Sequence, residues 1–122
     1  MRAIIIDDSK AMRVLLGRIL ADLGFDVTEA ANGREGIERL RANGQTDLAL
    51  VDWNMPEMSG VDFVRAVRSE PDYDPLRIIM VTTETEMSRV VKALGAGANE
   101  YIMKPFDKDA IREKLQLIGL VA

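Results

Sequence analysis

The stretch AIIIDDSKAMRVLLGRILADLGFDVTEA, residues 3–30, changes its periodicity twice, and those changes decide the fold. Ala3-Ile4-Ile5-Ile6 is an unbroken apolar run dominated by β-branched side chains, which suits a strand buried on both faces. Beyond Asp7 and Asp8 the apolar positions fall at helical spacing, with Met12, Leu15, Leu16, Ile19, Leu20 and Leu23 on one face and Gly24 as the stop. Phe25 to Ala30 is short and strand-like again. A strand, a helix and a strand in close succession form a βαβ unit, whose strands must run parallel.

The rhythm continues to the end of the chain. Asn32 is placed to cap a second helix, with Ile37 and Leu40 facing inward and Asn43-Gly44 ending it. Leu48 to Val51 reads as a third strand, and Val61, Phe63, Val64 and Val67 mark a third helix after a loop holding Pro56 and Gly60. A fourth strand over Ile78 to Val81, a fourth helix over Glu86 to Leu94, a short fifth strand over Tyr101 to Met103 and a closing helix over Asp107 to Ile118 complete the pattern. Strict alternation predicts an α/β fold: a five-stranded parallel sheet between two helical layers, a (βα)5 architecture. The flavodoxin-like strand order 2-1-3-4-5 suits the five units and puts a ligand crevice at the carboxyl ends of strands 1 and 3.

Composition narrows the function. The chain has 122 residues, 48% hydrophobic and 30% charged, which suits one domain with a single sizeable core, expected over residues 1–122 with no separate output domain. No apolar run approaches the roughly 20 residues needed to span a bilayer, and the N-terminus lacks a signal-peptide pattern, so a cytoplasmic location without membrane insertion is expected. There is no cysteine and no histidine, leaving carboxylates, hydroxyls and lysine to carry any chemistry. A net charge of -4 without a basic cluster argues against nucleic acid and for a protein partner.

The predicted strand ends deliver Asp7 and Asp8, Asp52, Thr82 and Lys104 to one edge. Singly, the aspartates and Thr82 read as helix or loop caps and Lys104 as a solvated lysine. Together they are complementary. Packed carboxylates repel and need a counter-charge, and a hard divalent ion such as Mg²⁺, which takes one or two carboxylates and recruits phosphate oxygens, supplies it. A metal, a lysine, a hydroxyl and a nucleophilic aspartate are the parts of phosphoryl transfer to a carboxylate, with Asp52 as the acceptor.

The blocks IIIDDSK, LVDWNMPEMSG, IIMVTTE and YIMKPF, spread over the whole chain, resemble the signature blocks of bacterial response-regulator receiver domains. The similarity is greatest to stand-alone chemotaxis regulators of the CheY type, through Trp53, Asn54, Met55 and Pro56 after the acceptor and Tyr101 before the Lys-Pro pair. The resemblance implies a two-component phosphorelay protein, not itself an enzyme, that takes a phosphoryl group on Asp52 from a sensor histidine kinase. Asp8, Asp52 and the backbone carbonyl of Asn54 would hold Mg²⁺, with Asp7 acting through bound water, and Lys104 would contact the acceptor and then the phosphoryl oxygens. The Lys104–Pro105 bond is implied to be cis. Thr82 would follow the phosphoryl group and Tyr101 would turn inward behind it, altering a face of helix 4, strand 5 and helix 5 on which Thr85, Lys92, Tyr101 and Lys114 meet a partner.

That partner would be a downstream protein such as a flagellar motor switch component, with a phosphatase as a further partner and a monomer as the working form. By the same resemblance Asn54 and Glu84 would border the water that hydrolyses the acyl phosphate, and their polarity resembles fast-resetting regulators, so a short-lived phosphoryl state is expected. Two departures are noted: Ser59 stands where an acidic residue is common, and Gly17 interrupts helix 1 at a cost of about 1 kcal/mol relative to alanine. The alternatives are a relay intermediate or phosphate sink, a pseudo-receiver that only binds, a flavodoxin, and a haloacid-dehalogenase-type phosphatase. The last needs its nucleophile after strand 1, and a flavodoxin needs a phosphate cradle where Asp7 and Asp8 stand.

Overall fold

A computed structural model describes residues 1–53, 55, 58–83 and 87–122, with backbone only at 87. Five strands, β1 (Arg2–Ile6), β2 (Asp26–Ala30), β3 (Leu48–Asp52), β4 (Arg77–Thr82) and β5 (Glu100–Met103), alternate with five helices. The helices are α1 (Lys10–Asp22), α2 (Gly33–Asn43), α3 (Gly60–Arg68), α4 (Met87–Ala96) and α5 (Lys108–Leu117). Every strand pair is parallel, as expected from the alternation, and the order is β2-β1-β3-β4-β5, the order read as suiting five units.

Side chains of the central strands alternate between two cores. Ile4, Ile6, Ala49, Val51, Ile78 and Met80 pack with Leu40 of α2, the apolar face of α3 and Ala93 of α4. Ala3, Ile5, Leu48, Leu50, Ile79 and Val81 pack with Leu16 and Leu20 of α1 and Ile111 and Leu115 of α5. Each fully buried aliphatic contributes about 1.5–3 kcal/mol, so the doubly covered centre of the sheet is the rigid base on which the strand ends are presented.

The cap expected at Asn32 is present, and three further helices are capped by residues not assigned that task from the sequence. Ser9, Asn32, Ser59 and Asp107 each accept a hydrogen bond from a backbone N–H in the first turn of α1, α2, α3 and α5. Ser59 therefore has a local task, accepting from Asp62 N at 3.2 Å, which explains a short hydroxyl there. Leu15 departs from expectation: it is 46% exposed, because α1 closes on the sheet through Leu16 and Leu20 and leaves the flank beside them open.

An unforeseen single 3-10 turn, Pro71–Tyr73, links α3 to β4. Arg68 locks this corner. Its guanidinium donates to the carbonyls of Gly97 at 2.9 Å, Tyr73 at 2.8 Å and Leu76 at 2.6 Å and to Asn99 Oδ1 at 3.0 Å, and burial lowers its pKa. Asn99 in turn accepts from Ile78 N at 2.8 Å, so one side chain joins α3, the 3-10 turn, the start of β4 and the turn before β5.

Candidate functional site

The carboxyl ends of β1 and β3 lie side by side, since Ile6 pairs with Val51 and Asp52 closes β3 opposite Val81 of β4. Asp52 is thus a strand residue, one position later than the sequence reading ended the strand, and it is 7% exposed. Asp7 is 2% exposed and Asp8 lies at the surface. One carboxylate oxygen from each of Asp7, Asp8 and Asp52 lies within 4.8 Å of the other two. Lys104 Nζ donates to Asp52 Oδ1 at 3.4 Å. Lys104 N donates to the carbonyl of Thr82 at 2.7 Å, and Thr82, nearly inaccessible, is one residue beyond the β4 partner of Asp52. The Lys104–Pro105 peptide is cis. Four strand ends therefore bring the five expected residues to one edge.

Burial and like charge dominate the electrostatics. Desolvation is the main cause that lifts the Asp52 carboxyl from 3.8 to about 6; the charge of Asp7 adds to it and Lys104 opposes it. Asp7 is raised as well, first by burial, with the Ser9 N–H and Lys104 pulling the other way. Asp7 Oδ1 accepts from Ser9 N at 2.8 Å, whereas Oδ2 is the buried side-chain oxygen that, among the described residues, has no hydrogen-bond partner. A buried partnerless oxygen beside two more carboxylates is what a small, hard cation would satisfy, so the residues present fit Mg²⁺.

The end of β3 that carries Asp52 is held from behind. A methyl group on Gly60 would meet the backbone carbonyl of Asp52 at 2.8 Å and Trp53 Cα at 3.1 Å, so only glycine allows the start of α3 to approach this closely. Its N–H donates to Trp53 O at 3.1 Å. The sequence reading put Gly60 in a loop and gave it no task; the signal available was a glycine just before an apolar helical face. Arg89 of α4 lies over the Trp53 ring at 5.9 Å, a link no sequence spacing announced.

The expected signalling residues form a separate group. Tyr101 is half-buried against the core of α2, α3 and α4. Lys114 Nζ sits 4.4 Å from its ring centre and pairs with Glu100 at 3.2 Å, so Lys114 is engaged rather than free on the surface. Lys92 is exposed on α4. The same three elements carry exposed apolar side chains that the sequence reading passed over, Val91, Leu94, Met103 and Leu117. Asn54, Glu84 and Thr85 lie outside the described residues. No described helix is long and apolar enough to cross a membrane.

Comparison with known proteins agrees with this geometry. The model of the response regulator receiver domain matches residues 3–116. The chain is 44% identical over 119 residues to the chemotaxis protein CheY1 of Helicobacter pylori, covering 97% of this chain and 96% of that protein. To the chemotaxis protein CheY of Pseudomonas aeruginosa it is 39% identical over 119 residues, covering 97% and 95%. The crystal structure of Vibrio cholerae chemotaxis protein CheY4 superposes with a TM-score of 0.88 at 33% identity, over 96% of this chain and 97% of that one. With its five parallel strands and the acidic edge they present, this chain belongs to the response-regulator receiver domain family and is a signalling protein of the CheY type.

Proposed function

We propose that this chain is a phosphoacceptor in a two-component relay, in which Asp52 takes a phosphoryl group from a phosphohistidine on a sensor kinase. The observation that carries this is the buried Asp52 carboxylate at the end of β3, with Lys104 Nζ at 3.4 Å and Asp7 and Asp8 within 4.8 Å. An Asp52 oxygen attacks phosphorus, an O–P bond forms, the P–N bond to the donor breaks, and the imidazole leaves with the bonding pair. Lys104 neutralises charge on the acceptor and then on the incoming oxygens, while Thr82 offers a hydroxyl beside them. Asp7, Asp8, Asp52 and the Asn54 carbonyl would hold Mg²⁺, which when bound supplies charge neutralisation for the phosphoryl oxygens.

Phosphorylation would draw Thr82 toward the new oxygens, and Tyr101, now held at half depth under Lys114, would move further in. That changes the face of α4, β5 and α5. Lys92, Lys114 and the exposed Val91 and Leu94 there support a mixed apolar and basic contact with a protein target. That the relatives are chemotaxis proteins supports a flagellar motor switch component as that target; the receiver is proposed to work as a cytoplasmic monomer through its own surface. The test is Mg²⁺-dependent labelling by acetyl phosphate, read as a mass increase on the intact native chain and on Asp52→Asn, followed by capture of partners with and without phosphorylation. Labelling of the native chain alone is expected. Equal labelling of both proteins would remove Asp52 from this role.

A further inference from the structure

We propose that Arg13, oriented by Glu29, is a positioning residue for the divalent-cation site, because it fixes the peptide that joins Asp7 to Asp8. The inference rests on the receiver chemistry above and adds to it a residue outside the acidic cluster.

Arg13 lies one turn into α1, and helical side chains lean toward the N-terminus, which aims this guanidinium back at the strand end. Its Nη1 donates to the backbone carbonyl of Asp7 at 2.6 Å and its Nε to Glu29 Oε1 at 3.0 Å. The Arg13 side chain is only 16% exposed, and Glu29 at 46% is wetter. An exposed ion pair is worth little in itself. Here its consequence is geometric: with Nε engaged by Glu29, the rigid fork presents Nη1 to the Asp7 carbonyl, which a flexible ammonium would not reproduce.

Asp7 is constrained on every side. Its N–H donates to Ala30 O at 3.1 Å, its carbonyl is held by Arg13, and its Oδ1 accepts from Ser9 N. Both peptide planes flanking Asp7 and its side-chain torsion are thereby set, while Oδ2, without a partner among the described residues, lies buried in the carboxylate group that clusters with Asp8 and Asp52. The carbonyl that Arg13 holds belongs to the Asp7–Asp8 peptide, so the same bond sets where the Asp8 carboxylate departs from the backbone. Strand β2 thus acts on the site twice, through Ala30 O and through Glu29 by way of Arg13. A small cation that demands near-ideal octahedral geometry is sensitive to such orientation, and loss of outer partners typically lowers metal affinity 10–100-fold.

The experiment is a Mg²⁺ titration followed by fluorescence of Trp53, the one tryptophan of the chain and the neighbour of Asp52. Arg13→Ala is expected to raise the Mg²⁺ midpoint about tenfold, the lower end of that range, since the lost bond is to backbone. Arg13→Lys and Glu29→Gln should fall between native and Arg13→Ala. Arg39→Ala, which removes an exposed pair with Glu35 on α2, should titrate like native. Urea unfolding in chelator separates the roles: a purely structural Arg13 would move the unfolding midpoint and leave the Mg²⁺ midpoint of the folded protein within twofold of native, which would overturn the inference. If Arg13→Ala does not fold, native-like midpoints for Arg13→Lys and Glu29→Gln overturn it equally. A native chain without a saturable Mg²⁺ response would instead overturn the cation site itself.

Discussion

Replacing Asp52, the proposed acceptor, should make the metal-free protein more stable. Asp52 is 7% exposed and its carboxyl is held at about 6 against an ordinary 3.8, with burial and the charge of Asp7 outweighing the attraction of Lys104. At about 1.4 kcal/mol per pKa unit, ionising it costs the folded state about 3 kcal/mol. Asparagine keeps the shape and a neutral acceptor for Lys104, so Asp52→Asn in chelator at pH 7 should gain about 1–3 kcal/mol, or roughly 4 °C in Tm per kcal/mol at this chain length. The sign of the pH dependence follows from linkage. A carboxyl whose folded pKa is raised is fully tolerated below its ordinary value, and native stability is lost as pH rises from 3.8 through about 6. The gap between variant and native should therefore open between about pH 4 and 6 and stay level above. Mg²⁺ at 100 times its dissociation constant adds about 2.7 kcal/mol to the native chain and should close most of that gap. Urea unfolding at a series of pH values, with and without Mg²⁺, measures all of this. A variant less stable than native at pH 7 in chelator, or a gap that does not change between pH 4 and 7, would refute the reasoning.

Three further outcomes follow from packing and hydrogen bonding. Gly60→Ala places a methyl group 2.8 Å from the Asp52 carbonyl and should cost about 1–3 kcal/mol, with slower acetyl-phosphate labelling of the folded fraction because Asp52 itself must shift. Arg68→Ala orphans the carbonyls of Gly97, Tyr73 and Leu76 and should destabilise by about 2–4 kcal/mol in urea, with Arg68→Lys rescuing little of it because one ammonium cannot span the fork. Gly17→Ala should stabilise by about 0.5–1 kcal/mol, since its new methyl finds only ordinary contacts with Ile5 at 3.8 Å and Val27 at 3.9 Å; a loss of stability on thermal unfolding would contradict that packing.

What residue order alone made legible was the local alternation. Ile4 to Ile6 and Leu48 to Val51 are uniformly apolar, as suits strands covered on both faces, and Asn32 marks a helix start because a side-chain oxygen must replace a missing backbone partner. That alternation implies a parallel sheet, for which the flavodoxin-like order suits five units, and with that order comes the meeting of Asp7, Asp8, Asp52, Thr82 and Lys104. Contacts between elements distant along the chain were decided only by the tertiary structure. Nothing in the spacing of Arg13, Glu29 and Asp7 announces that they join, nor that Arg68 gathers three carbonyls from two connections, nor that Gly60 must be bare to let α3 reach Asp52. Periodicity reports which face of an element is buried, because burial is a property of each residue's own surface. Hydrogen-bond partners and close approaches depend on the relative placement of elements, which the packed sheet and its two helical layers set together.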